Sequence, residues 1–351
     1  MFDLSNYDPD SVSNPNNNIF GLPTTEEDAH LVIVPIPWEV TVSYGSGTAR
    51  APEAICKASL QIDIYDPDTP QAWKQGFYMR PTDRKILMKS DYLRKEAELY
   101  IDYISRGEDV SANQFMSKTL KDVNSGSNYL NSWVYDQTSA LLGKNKLVGL
   151  LGGDHSIPLG FYRAIAEKHG DFGILQIDAH CDLREAYAGF IYSHASIMRN
   201  ALQEVPQIKK LVQVGPRDFS QNENDYIQKS NGRVVTYFDR IIKNRQFEGD
   251  TWKHIVGEIV DELPEKVYIS FDIDGLDRKL CPHTGTPVPG GFEVEEVYYL
   301  FRRILESGRK FIGFDLCEVG ISDTDWNSNV GARVLFKLCN LLVASSLPQP
   351  A

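Results

Sequence analysis

Three short loops carry the residues able to do chemistry: Gly152-Gly153-Asp154-His155-Ser156, Asp178-Ala179-His180-Cys181-Asp182 and Asp272-Ile273-Asp274-Gly275-Leu276-Asp277. In an extended segment alternate side chains share one face. Asp178, His180 and Asp182 therefore converge, and so do Asp272 and Asp274. Crowded carboxylates repel one another unless cations neutralise them. Carboxylate oxygens with a minority of imidazoles suit hard or borderline divalent ions such as Mn²⁺. Two ions bridged by shared carboxylates, about 3.5–4 Å apart, lower the pKa of a water held between them and supply hydroxide near neutral pH. A lone Asp-x-Asp at a strand end is commonly a turn or a helix cap, and a lone His after Gly-Gly is commonly a loop residue. Three such loops, each after an apolar run, argue together for a metal centre.

The elements that must hold these loops are legible as apolar runs. Lys146–Leu151, Phe172–Ile177 and Val267–Phe271 precede the three loops, and His30–Pro35, Leu211–Val214, Arg233–Tyr237 and Phe311–Phe314 are similar. Near-continuous apolar runs indicate strands covered on both faces, as in a parallel sheet. Pro158–His169, Thr251–Leu263, Glu293–Ser307 and Val330–Ala344 read as helices. Pro158 suits a first turn, and Gly170 follows the end of its helix. The alternation predicts a single doubly wound, mostly parallel α/β sheet with helices on both faces. Ligands of such sheets bind beyond the carboxyl ends of the strands. One domain over 1–351 is expected, with an N-terminal extension over 1–30. Residues 64–127 break the alternation and read as an insertion or decorated crossover, with a helix over Tyr92–Ser105 and then a polar Gly/Ser/Asn segment.

Composition excludes several classes. The net charge is −12 and no basic stripe is present, which argues against a nucleic-acid partner. Five cysteines (Cys56, Cys181, Cys281, Cys317 and Cys339) include no CxxC pair, which fits a reduced setting better than a disulfide framework. The N-terminus lacks the pattern of a signal peptide, and no apolar stretch approaches membrane-spanning length. A cytoplasmic location without membrane contact is expected.

The loops resemble the ureohydrolase family, which includes arginases, agmatinases, guanidinobutyrases, guanidine hydrolases and formimidoylglutamases. The family patterns GGDHS, DAHxD and SFDxDxxD are met by Gly152–Ser156, Asp178–Asp182 and Ser270–Asp277. Pro37–Ile55, His283–Gly291 and Phe314–Gly320 extend the likeness. The resemblance implies an arginase-like three-layer fold and a binuclear centre, with Mn²⁺ as the default and Ni²⁺ as the alternative. It implies that His155, Asp178, Asp182 and Asp272 hold one ion and that Asp178, His180, Asp272 and Asp274 hold the other. Asp182 would also accept a hydrogen bond from the attacking hydroxide. Glu318 would pair with a substrate guanidinium, whose donor fork matches a carboxylate. His194 would shuttle a proton to the leaving amine, a role suited to an imidazole. Asp277 would orient the third loop, and Asp154 would support the metal ligands from behind. Homo-oligomers, trimers or hexamers, are implied as well.

Charge counting gives the same substrate class. Asp178, Asp182, Asp272 and Asp274 balance two divalent ions; hydroxide and Glu318 then leave the site negative and receptive to a small cationic guanidino compound. The resemblance, closest to agmatinase-like members, implies agmatine, giving putrescine and urea, as the first substrate and guanidine as the second, ahead of guanidino acids, arginine and formiminoglutamate. The text after Asp182, Leu183-Arg184-Glu185-Ala186-Tyr187, departs from the arginase pattern. Arg184 facing the pocket would favour a carboxylate tail or none; paired with a surface acid it would not. Trp38, Tyr44, Trp73, Phe77 and Tyr78 would shrink the pocket, and Trp326 would shape its wall. Two other classes are a single-zinc deacetylase of the same fold and a non-catalytic binding protein, which a metal count and a missing ligand, respectively, would mark.

Overall fold

The structure, a computed structural model, describes residues 7–347. Eight strands form one sheet: β1 (Leu31–Ile36), β2 (Phe77–Met79), β3 (Leu147–Gly152), β4 (Phe172–Ile177), β5 (Ile208–Val214), β6 (Val234–Tyr237), β7 (Lys266–Asp272) and β8 (Lys310–Cys317). Their spatial order is β2-β1-β3-β8-β7-β4-β5-β6, and every pairing is parallel. The helices are α1 (Ala51–Ala58), α2 (Arg84–Ser105), α3 (Gln114–Gly143), α4 (Leu159–His169), α5 (Ile197–Glu204), α6 (Gln221–Lys229), α7 (Asp239–Phe247), α8 (Trp252–Glu262), α9 (Val294–Glu306) and α10 (Trp326–Ser346). None of the described helices is long and apolar enough to cross a membrane.

Alternate strand residues feed two cores, one on each face. Leu31, Ile33, Leu175, Ile177, Ile269 and Phe271 join side chains of α1, α8, α9 and α10. Val32, Val34, Leu150, Ile174, Leu211 and Tyr268 join those of α2, α3, α4 and α5. Each fully buried side chain of this size contributes roughly 1.5–3 kcal/mol of transfer free energy.

Every apolar run named above is a strand. The strand that went unread is β2, whose three residues are too few for a pattern and pair only with Leu31–Ile33 of β1. That short pairing also explains Pro35: at that level β1 has β3 as a neighbour but not β2, so a missing N–H is tolerated.

Residues 64–127 supply β2, α2 and the first part of α3. The expected helix starts earlier, at Arg84, where Asp83 accepts hydrogen bonds from the Lys85 and Ile86 amides. The polar Gly/Ser/Asn stretch is a correction: it lies inside α3, capped by Asn113. Its small residues serve close packing, since a Cβ on Gly126 would stand 2.2 Å from Leu93 Cδ1 of α2. At the other end of the chain, residues 19–22 are fixed in the core, with Phe20 edge-on to Phe77 and Phe336.

Candidate metal centre

The three chemical loops leave the carboxyl ends of β3, β4 and β7, and β8 lies between β3 and β7. Three of the four Asp residues of the centre tie one oxygen to a backbone amide: Asp178 Oδ1 to His180 N (2.6 Å), Asp272 Oδ1 to Asp274 N (2.8 Å) and Asp274 Oδ1 to Ala179 N (3.0 Å). These short-range and cross-loop bonds fix the carboxylates and turn the remaining oxygens toward one another.

Those oxygens meet two imidazoles. His155 Nδ1 lies 3.0 Å from Asp178 Oδ2, 3.0 Å from Asp182 Oδ2 and 3.5 Å from Asp272 Oδ2. His180 Nδ1 lies 3.1 Å from Asp274 Oδ2 and 3.5 Å from Asp178 Oδ1. His155, Asp178, Asp182, Asp272 and Asp274 are buried. His155 Nδ1 and Asp274 Oδ2 are buried yet have no hydrogen-bond partner of acceptable geometry, an arrangement expected of ligand atoms rather than of a polar network. Two groups of donors, His155–Asp178–Asp182 and Asp178–His180–Asp274, are each tight enough for one ion. A third group, His155–Asp315–Cys317, uses the far side of the His155 ring, and burial pushes the Cys317 thiol well above its ordinary range. The donor set of oxygens and imidazoles fits two divalent ions.

Four carboxylates face two imidazoles at this centre. Burial, then Asp178, pushes Asp182 up to about 7. Burial, then Asp274 and Asp178, pushes Asp272 well above the carboxylate range. Burial opposes charge on His155 and His180, but their carboxylate neighbours outweigh it and raise both. Asp178 is lowered, the two imidazoles outweighing its burial.

Glu318 follows β8. Its Oε1 accepts the His155 amide at 2.9 Å, its own amide donates to Gly153 O, and Oε2 is buried without a partner. Burial, then Asp154, pushes its carboxyl well up. Asp182 and Glu318 both adopt left-handed backbone, with φ of 54° and 63°. For non-glycine residues that conformation costs energy, and such strain clusters at functional positions. Asp154 is buried and bonded to Ser156, and burial raises it to about 6; Asp277 caps the Lys279 amide.

A cavity of about 390 Å³ opens onto this centre. It is lined by His180, Asp182 and His194 together with Tyr44, Arg184, Tyr187, Asp218, Glu223 and Arg278. His194 lies edge-on to Tyr187, and burial, then His180 and His155, pushes it down to about 3. Arg184 lines the cavity mouth; its Nε is 3.8 Å from Glu223 Oε2, and its guanidinium lies over Tyr187 at 5.4 Å.

Several expectations about the pocket need correction. Of the five aromatic residues, only Tyr44 faces it. Trp38, Trp73 and Phe77 are core, and Tyr78 lines a separate surface cavity with Arg80. Trp326 belongs to another cavity, beside Tyr298 and Lys337. Asp218, Glu223 and Arg278 carried no motif and went unread. So did Arg217, whose guanidinium donates to the carbonyls of Asp274 (2.6 Å) and Val288 (3.1 Å) and so braces the third loop.

Comparisons with known proteins follow the same lines. The sequence pattern described as the Arginase family matches residues 29–340. An N(1)-aminopropylagmatine ureohydrolase from Synechocystis is 28% identical over 304 residues, covering 84% of this chain and 83% of its own. A guanidinobutyrase from Pseudomonas aeruginosa is 34% identical over 212 residues, 58% of this chain and 62% of its own. The crystal structure of agmatine ureohydrolase of Thermoplasma volcanium superposes with a TM-score of 0.66 at 24% identity, covering 92% of this chain and 91% of that one, a likeness of fold.

Proposed function

We propose, since this chain belongs to the arginase family, that it hydrolyses a small guanidino compound at the guanidinium carbon and releases urea. The observation that carries this reading is the convergence of His155, Asp178, His180, Asp182, Asp272 and Asp274, all but His180 buried, beside a cavity that His180 and Asp182 line. In this reading His155, Asp178, Asp182 and Asp272 hold one divalent ion, and Asp178, His180, Asp272 and Asp274 hold the other. When bound, the pair supplies an activated water and charge stabilisation for attack on a planar carbon.

The remaining roles belong to the chain. Asp182 accepts a hydrogen bond from the attacking water and orients it. Glu318, with Oε2 unpartnered, accepts from the guanidinium fork and holds its plane over the centre. The neutral His194 imidazole, which lines the cavity, takes a proton and passes it to the leaving nitrogen. Mn²⁺ is the expected ion, with Ni²⁺ as the alternative.

Agmatine is the first substrate, its tail ammonium facing Asp218 and Glu223. A second reading is favoured by Arg184 and Arg278, which line the same cavity: a substrate whose tail lacks a second positive charge, guanidine or a guanidino acid. The test is urea release from agmatine, guanidine, 4-guanidinobutyrate, 3-guanidinopropionate and arginine, after loading with Mn²⁺ or Ni²⁺ and with Asp274→Ala as control. Formiminoglutamate is followed by formamide. Activity on one compound, lost in the control, supports the reading. Silence across the panel with two ions bound sinks it.

A further inference from the structure

A row of polar side chains crosses the sheet just beneath the centre. Parallel register sets Thr236 of β6 beside Gln213 of β5, Gln213 beside Gln176 of β4, Gln176 beside Ser270 of β7, and Ser270 beside Asp315 of β8. Residues in register point to one face, here the face of α4, where the same strands otherwise present Ile174, Leu211 and Tyr268 to the core. Gln176, Gln213, Ser270 and Asp315 are fully buried. Polar side chains in an apolar layer cost free energy unless hydrogen-bonded, so packing does not account for them.

One half of the row has a single direction. Thr236 Oγ1 donates to Gln213 Oε1 (2.8 Å), Gln213 Nε2 to Gln176 Oε1 (2.7 Å), and Gln176 Nε2 to Asp178 Oδ2 (2.8 Å). The amide orientations follow from the network. The Cys181 carbonyl can only accept, and Gln213 Nε2 reaches it at 2.7 Å. That fixes Gln213, which fixes Gln176, which must present its N–H to Asp178. Aligned bonds of this kind reinforce one another in a low-dielectric interior. The other half serves His155: its Nε2 lies 2.8 Å from Ser270 Oγ, and Ser270 donates to Asp315 Oδ1 at 3.1 Å.

We propose that Thr236, Gln213 and Gln176 are positioning residues for Asp178, the carboxylate common to both donor groups. His180 N holds Asp178 Oδ1, and the amide chain holds Oδ2, so the carboxylate cannot rotate away from the ions. The inference rests on the two-metal reading above.

The experiment measures Mn²⁺ affinity of the full chain by calorimetry and chelator competition, for wild type, Gln176→Met and Thr236→Val. Gln176→Met keeps the length and removes the donor. Its Mn²⁺ affinity should fall about 10- to 100-fold, as when other partners of metal ligands are removed. Thr236→Val, two links further out, should lose less, about threefold. Affinities within twofold of wild type in variants of normal circular dichroism overturn the proposal and leave the row a core hydrogen-bond network. If Gln176→Met does not fold, Thr236→Val decides by the same criterion. A wild type that binds no ion overturns the metal reading, and this inference with it; a wild type that binds while the variants match it overturns the inference alone.

Discussion

Gly285 approaches Glu318 so closely that a Cβ on it would stand 2.4 Å from Glu318 Oε2. The atom displaced is the end of a side chain, so the fold can absorb it by turning the carboxylate. Gly285→Ala should therefore unfold near the wild-type temperature and bind metal normally, while kcat/KM falls about 100-fold from a misplacement of order 1 Å. Thermal melts, metal analysis and urea-release kinetics check this. Full activity in Gly285→Ala would remove Glu318 from the substrate contact.

His194 lies in the cavity but in neither donor group. His194→Asn should retain both ions and lose about 10²–10⁴-fold in kcat, the usual weight of a positioned acid–base group. Loss of metal together with activity would instead make His194 a ligand, and an unchanged kcat would exclude it as the proton carrier.

Metal affinity should depend on pH with a definite sign. Asp182 in the ion-free centre is raised to about 7, so below that pH it holds a proton that an incoming ion must expel. Affinity should therefore weaken as pH falls through 7, by up to about tenfold per unit for one displaced proton, and Asp182 should contribute no slope above that range. Calorimetric titrations at pH 6, 7 and 8 in buffers of differing protonation enthalpy measure both the slope and the released protons. A flat profile from pH 6 to 8 would refute this.

Arg184 is half-exposed and only loosely paired with Glu223 at 3.8 Å. Arg184→Ala should lower KM for agmatine and raise it for 4-guanidinobutyrate, each by about three- to tenfold, as expected for one partly screened charge. If neither KM moves, Arg184 does not sense the substrate tail.

Gly126 tests the α2–α3 packing. Gly126→Val would drive a branched side chain into Leu93 and should destabilise the fold by about 1–3 kcal/mol, the usual cost of overpacking. Denaturant unfolding measures it, and wild-type stability would mean that the two helices are free to separate.

The sheet and the donor set were legible because both rest on short-range pattern. A strand buried on both faces is one apolar run, and Asp178, His180 and Asp182 sit two apart in sequence. What escaped depends on distance along the chain. Gln176 and Gln213 lie inside apolar runs and belong to no motif; their pairing appears only when register sets them side by side. α3 was hidden because Gly126 and Ser127 read as loop residues, although its buried positions Thr119, Val123, Gly126, Leu130, Val134, Thr138 and Leu141 keep helical spacing. Trp38 and Phe77 looked like pocket walls because aromatic type alone does not say which side of a sheet a residue faces.

The strand order has a consequence for how the protein is made. β8 is the last strand in the chain, yet it lies in the interior of the sheet, between β3 and β7. A growing chain that has already presented His155, Asp178 and Asp272 still lacks the strand that sets the first of these loops beside the third. Pairing so remote in sequence forms late and slowly. The placing of the first loop beside the third therefore depends on residues 310–317, the last strand of the sheet in sequence.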